Sequence, residues 1–158
     1  LALKNRMREA DVCATDLSAK ALEVAQKNAD SHSLTVAFEC SDILSQVPFV
    51  GQSFDLVVSN PPYIPSLEKE SMTSRVLEHE PSLALFVSDS QPLVFYKAII
   101  DHCRCEVLKP GGLMALECHE DFTQSVSDLI GTSQGFSDVE VIQDMQGKNR
   151  HIIALKNV

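Results

Sequence analysis

Three observations predict an α/β fold, a Rossmann-like three-layer sandwich around a mainly parallel sheet. Apolar runs of strand length alternate with segments of helical periodicity along the chain. The run Phe54 to Ser59 is nearly continuous in apolar character, as in strands whose two faces are both covered by helices. Two strand-like segments flank Gly147 near the C-terminus, which reads as a closing antiparallel hairpin.

Each element has a local reason. Leu1 to Glu9 reads as the end of an amphipathic helix. Val12 to Thr15 is a short apolar strand ending at Asp16, after which Ser18 can cap a helix carrying Ala21, Leu22, Ala25 and Ala29 at helical spacing. Leu34 to Glu39 alternates as a second strand, with Ser41 and Asp42 at its end. Phe54 to Ser59 is the third, and a long polar loop without periodicity follows it to about residue 92. Pro92 falls in the first turn of a helix bearing Phe95, Tyr96, Ile99, Ile100, Cys103 and Val107, which stops at Lys109-Pro110-Gly111-Gly112. Leu113 to Cys118 is a fourth strand. Phe122, Val126, Leu129 and Ile130 stripe the next helix, and Val139 to Gln143 with His151 to Leu155 form the hairpin.

Composition sets outer bounds. The 158 residues fit one domain, and 44% apolar with 22% charged residues is ordinary globular usage. No apolar run reaches the roughly 20 residues of a membrane helix. A formal net charge of −9 argues against a nucleic-acid groove, which needs clustered Lys and Arg. The five cysteines are odd in number, scattered and mostly within apolar segments, so they read as reduced, buried thiols of a cytosol-like compartment. His32, His102 and His151 stand apart without a partner at ligand spacing, and no metal site is expected.

The chemically loaded segment is Asn60-Pro61-Pro62-Tyr63, where the third strand stops. An amide or aryl amine is a poor nucleophile because its nitrogen lone pair is delocalised into the adjoining π-system. An Asn side-chain oxygen and the next backbone carbonyl can accept the two N–H bonds of such an NH2 group. The prolines remove competing donors and fix φ, and the aromatic ring can lie on the planar group. The plainer alternative is a strand followed by a Pro-rich turn. The tetrapeptide is similar to the signature of S-adenosylmethionine-dependent enzymes that methylate glutamine side chains or adenine, and the terminal hairpin matches class I methyltransferases better than dehydrogenases.

Further stretches resemble the HemK/PrmC family, the methyltransferases of the Gly-Gly-Gln glutamine in peptide chain release factors. They are Ala14 to Ser18 with Ala21-Leu22, Asp55 to Pro65, Glu80-Pro81 with Leu83 to Leu85 and Phe95-Tyr96, Leu108 to Gly112 with Leu116-Glu117, and the tail from Gly135 to Val139 and Asp144 to Arg150. The resemblance implies that Asp16 accepts the ribose hydroxyls of S-adenosylmethionine and that Asp42 and Ile43 lie beside its adenine. Asn60, Pro61, Pro62 and Tyr63 would clamp the substrate amide, with Asn60 also near the methionine group. His79-Glu80 and Cys118-His119 are secondary candidates at loop ends. The implied partner is a release factor and the implied compartment the cytoplasm, with an organelle left open. Alternatives left open are a ribosomal-protein glutamine, adenine N6, or a cofactor-free remnant acting as a binding module.

One departure concerns the Gly-rich loop, expected about 20 residues before the ribose acid. Counting back from Asp16 puts it before Leu1, so residues 1–158 read as a partial methyltransferase domain lacking its first, central strand. This chain alone is then expected to bind S-adenosylmethionine weakly or not at all. The reading frame upstream of Leu1 should encode an apolar strand ending in a loop such as Gly-x-Gly-x-Gly. Sequencing the transcript checks this, and a start codon just upstream without such a loop would contradict it.

Overall fold

A computed structural model describes residues 1–71 and 81–158; the His79 and Glu80 positions discussed above lie outside the described residues. The chain forms two compact units, Leu1–Val50 and Gly51–Val158.

The first unit holds α1 (Ala2–Arg6), β1 (Cys13–Asp16), α2 (Ala19–Ser31) and β2 (Ala37–Cys40). β1 and β2 pair in parallel, with Asp16 opposite Cys40. Ser18 caps α2, its Oγ accepting the Ala21 N–H at 3.2 Å. β2 starts three residues later than the alternation suggests, because Ser33 and Leu34 finish the helix instead. Ser33 is left-handed (φ 53°), and the Leu34 and Ser33 amides donate to the carbonyls of Ala29 and Asp30, the Schellman pattern. Leu34 and Val36 are nevertheless buried, so the apolar pattern registers packing and not strand.

The second unit is built on a four-stranded sheet, ordered β3-β6-β8-β7. Its strands are β3 (Phe54–Ser59), β6 (Leu108–Glu117), β7 (Phe136–Gln143) and β8 (Asn149–Lys156). β3 runs parallel to β6, whereas β8 is antiparallel to both β6 and β7. Among the described residues, the long segment after β3 holds more regular structure than expected. β4 (Ile64–Pro65) pairs in parallel with β5 (Phe86–Val87), flanked by a 3-10 segment, Ser66–Ser71, and a one-turn α3, Ser82–Leu85. Side chains replace ladder bonds there, with Ser66 Oγ donating to the Val87 carbonyl (2.9 Å) and the Leu67 N–H to Asp89 Oδ1 (3.0 Å).

α4 (Val94–His102) begins past Pro92, which sits in the preceding turn, and continues as a π-helix, Cys103–Val107. β6 then begins at Leu108, five residues before the expected Leu113, so Lys109-Pro110-Gly111-Gly112 is an irregularity in the strand and not a helix stop. The ladder jumps there from Phe54 opposite Leu108 to Leu56 opposite Leu113. Glycine is required at the kink: Gly111 has φ +75°, and a Cβ on Gly112 would stand 2.8 Å from Leu108 Cδ1 and 2.9 Å from the Lys109 carbonyl.

Met114, Leu116, Ile152 and Ala154 alternate with their neighbours on one buried sheet face, and Val126 and Ile130 of α5 (Thr123–Thr132) are fully buried with them. Apolar side chains of this size contribute roughly 1.5–3 kcal/mol each when removed from water. Coverage of both faces is not met within the unit, since Leu56 and Val58 remain 38% and 64% exposed. Their residues alternate with Val57, which stands opposite the buried Met114, so they point to the other face. The cysteine expectation is also corrected in part. Cys103 and Cys118 are buried, but Cys40 and Cys105 are exposed at an element end and on the π-helix surface; all five are free.

Lys156 ties this unit together. Its Nζ donates to the carbonyls of Cys103 (2.9 Å) and Leu108 (2.6 Å), the acceptors exposed where the π-helix turns into β6. Lys156→Met should therefore lower unfolding stability by about 2 kcal/mol, since two partly buried carbonyls lose a charged donor. Urea denaturation checks this, and an unchanged midpoint would refute the role.

Candidate active site

The parallel pairing of β3 with β6 sets Ser59 opposite Leu116, so the chain beyond each strand emerges at the same sheet end. On one side this exposes Asn60, buries Pro61 and half-buries Tyr63 before β4 begins. On the other come Glu117, Cys118 and His119. The two segments are joined by the Tyr63 hydroxyl, which donates to Glu117 Oε1 at 2.9 Å. Burial, then the bond to Glu117 and its charge, raise the Tyr63 pKa above the ordinary phenol range, while Arg150 opposes the shift. Tyr63 is thus a neutral donor.

Glu117 is fixed by more than its strand. Its backbone carbonyl accepts from the hydroxyl of Tyr96, a residue of α4 with no exposure to solvent (3.0 Å). The Cys118 N–H next to it donates to the Arg150 carbonyl at 2.7 Å, and Arg150 Nη1 reaches the Cys118 carbonyl at 3.4 Å. Burial pushes the Cys118 thiol up to about 11, which leaves it protonated and a poor nucleophile at neutral pH.

His119 closes the aromatic side. Its ring meets Tyr63 edge-on, with centroids 6.1 Å apart at 65°, and is tilted against Phe122 at 5.6 Å. Nδ1 accepts the Asp121 N–H at 3.2 Å, which leaves Nε2 toward Glu68 at 3.4 Å. Thr123 Oγ1, buried, lies 3.0 Å from the His119 carbonyl and 3.2 Å from that of Asn149, linking this turn to the hairpin. In the hairpin turn Asp144 accepts the N–H groups of Gln146 (2.8 Å) and Lys148 (3.1 Å) and faces Arg150 Nε at 3.5 Å. Those backbone donors, then Arg150, hold its carboxyl below the usual range. Gly147, at φ +78°, makes the turn possible.

The acids expected to face a nucleoside lie in the first unit. Asp16 ends β1; its Oδ1 accepts the Ser18 N–H at 2.7 Å, and its carbonyl accepts the Ser41 N–H at 3.1 Å. Asp42 follows Ser41 and folds over its own turn, accepting from Leu44 N (3.0 Å) and Ser45 Oγ (3.1 Å). Ile43 beside it is half-buried. Between the two acids in this arrangement, the Ser41 hydroxyl is 5% exposed as a residue and has no hydrogen-bond partner among the described residues. Such an orphaned polar atom is expensive unless something else satisfies it. Within the described residues no group of three His, Cys, Asp or Glu side chains could hold a metal ion, and no helix is long and apolar enough to cross a membrane.

The sequence singles out Asp16, Asp42 and the Asn-Pro-Pro-Tyr turn as candidates but assigns no task to Glu117, Arg150 or Ser41. An acid at the carboxyl end of a strand paired with β3 was the available signal for Glu117. Nothing in the sequence marks Ser41, because an unsatisfied hydroxyl is a property of packing.

The chain is similar to known proteins in sequence and in fold. A family model described as a methyltransferase domain matches residues 1–80. A curated relative from Bacteroides thetaiotaomicron, named release factor glutamine methyltransferase, is 40% identical over 98% of this chain and 55% of its own length. The chain spans about half the length of the curated relatives it matches. Among solved structures, a methyltransferase from Pyrococcus furiosus aligns with TM-score 0.68 at 20% identity, covering 99% of this chain and 68% of that one. A Streptococcus mutans methyltransferase in complex with SAH aligns at TM-score 0.59 and 15% identity, over 92% and 76%. These structural likenesses establish the fold, and with the domain match over residues 1–80 of 158 they lead to one conclusion: the chain belongs to the methyltransferase-domain family.

Proposed function

We propose that the protein transfers a methyl group from S-adenosylmethionine to the side-chain amide nitrogen of a protein glutamine, the Gly-Gly-Gln glutamine of a release factor. The observation that carries this reading is the Asn60-Pro61-Pro62-Tyr63 turn at the end of β3, with its tyrosine anchored to Glu117 at 2.9 Å. The printed name of the Bacteroides thetaiotaomicron relative supports the substrate, and the SAH bound to the Streptococcus mutans methyltransferase supports the cofactor. The reducing, cytoplasmic setting agrees with five free thiols.

The first unit fits the nucleoside part of the cofactor. Asp16 can accept two ribose hydroxyls at a strand end, and Asp42 with Ile43 can flank the base. The cofactor supplies an electrophilic methyl group on a positively charged sulfur. Everything else is positioning. Asn60 Oδ1 and the Pro61 carbonyl accept the two N–H bonds of the glutamine amide, turning its nitrogen toward the methyl donor. The Pro62 ring, lacking a donor, leaves those acceptors uncontested, and the Tyr63 ring lies on the amide plane. Held this way, a poor nucleophile gains chiefly from orientation, and the nitrogen sheds its extra proton late, to water.

Asn60→Ala should lower the methylation rate on the order of a hundredfold or more while changing cofactor affinity only a few-fold. Labelled-methyl incorporation and calorimetric titration check the two halves. Intact release factor should take up label, a version with the Gly-Gly-Gln glutamine changed to alanine should not, and an adenine-containing oligonucleotide should remain unlabelled. Label on the oligonucleotide alone would overturn the glutamine reading in favour of adenine N6; label on the alanine version would move the target elsewhere.

A further inference from the structure

We infer that Glu117 is the positioning residue of this site, its carboxylate fixing the ring of Tyr63 over the Asn60–Pro62 turn. The inference rests on the glutamine reading above for its kinetic consequences, but its geometry does not.

Tyr63 lies on an irregular segment between β3 and the two-residue β4, so its backbone alone does not determine where the ring points. Its hydroxyl is held by a charged acceptor at 2.9 Å, a stronger tie than a bond between neutral groups. That acceptor is itself immobile. Glu117 is the last residue of β6, paired with His151 of β8, and its carbonyl is tied to the fully buried Tyr96. On the far side the ring meets His119 edge-on, so two contacts from the same end of β6 define its plane. A residue that only stabilised the sheet end could do so through its backbone bonds. The side-chain bond to Tyr63 instead ties Glu117 to the ring three residues beyond Asn60.

A double-mutant cycle tests this in the intact protein. Tyr63→Phe and Glu117→Leu should each lower kcat by about tenfold through misalignment of the bound amide, with KM for S-adenosylmethionine unchanged. The double variant should be no slower than either single one. Glu117→Gln, which keeps an acceptor of the same shape, should stay within about threefold of the wild type. Losses that multiply in the double variant would overturn the inference, as would Glu117→Gln being as slow as Glu117→Leu, since an amide oxygen in the same place still accepts the phenol proton and should still orient the ring. Circular dichroism confirms that each variant folds, and Tyr63→Phe, leaving Glu117 in place, keeps the test open if Glu117→Leu does not. A second measurement needs no substrate and stands apart from the glutamine reading: nuclear Overhauser contacts between the Tyr63 and His119 rings should weaken in Glu117→Ala. Unchanged contacts would overturn the inference even if methylation of glutamine is observed, whereas absent methylation in the wild type with lost contacts would overturn only the substrate.

Discussion

The second unit depends on the parallel pairing that sets Ser59 opposite Leu116. Parallel strands end at the same edge of a sheet, so this one register delivers Asn60 to Tyr63 and Glu117 to His119 to a common place. A slip of one residue would turn Met114 and Leu116 out of the core and carry Glu117 to the opposite face, away from the tyrosine. Packing and chemistry are therefore specified together. The buried face formed by Met114, Leu116, Ile152 and Ala154 enforces the register, and the register assembles the site.

Polar ties then convert a strand end into a fixed platform. Tyr96 reaches from α4 to the Glu117 carbonyl, the hairpin contributes the Arg150 carbonyl to the Cys118 amide, and Thr123 fastens the His119 turn to Asn149. Each is modest in water-exchanged terms, about 1 kcal/mol, but each also prevents a backbone group from being buried without a partner. The antiparallel hairpin consequently does more than finish the sheet, since its residues at 149 and 150 clamp the segment that carries Glu117. Asp144, held ionised by backbone donors, keeps the hairpin turn compact and Arg150 directed toward the site.

Much of this was legible in the sequence because it is carried by local signals. Phe54 to Ser59 reads as a strand by composition, Ser18 as a cap by chemistry, and Gly147 as a turn by backbone requirement. Asn60 to Tyr63 stands out as two prolines between an amide and an aromatic ring, although a Pro-rich turn after a strand accounts for the same residue types. The errors share a physical origin. Leu34 and Val36 are buried, yet the left-handed Ser33 and the amides of Ser33 and Leu34 end the helix there instead of opening a strand. Pro110-Gly111-Gly112 looks like a helix stop but is a kink inside β6, its conformation set by the close approach of Leu108. Glu117 and Ser41 acquire their meaning only from what stands next to them in space, and spacing along a chain does not encode that.

The central claim is that the Asn60–Tyr63 turn recognises a primary amide. Chemical-shift mapping of the intact protein with S-adenosylhomocysteine and a Gly-Gly-Gln peptide measures this directly, with a Gly-Gly-Glu peptide as the comparison. The account predicts that the glutamine peptide shifts the Asn60 side-chain amide and the Tyr63 ring, whereas the carboxylate, which has no N–H to offer Asn60 Oδ1 and the Pro61 carbonyl, leaves them nearly unmoved. Equal responses to both peptides, or shifts confined to residues away from this turn, would contradict it.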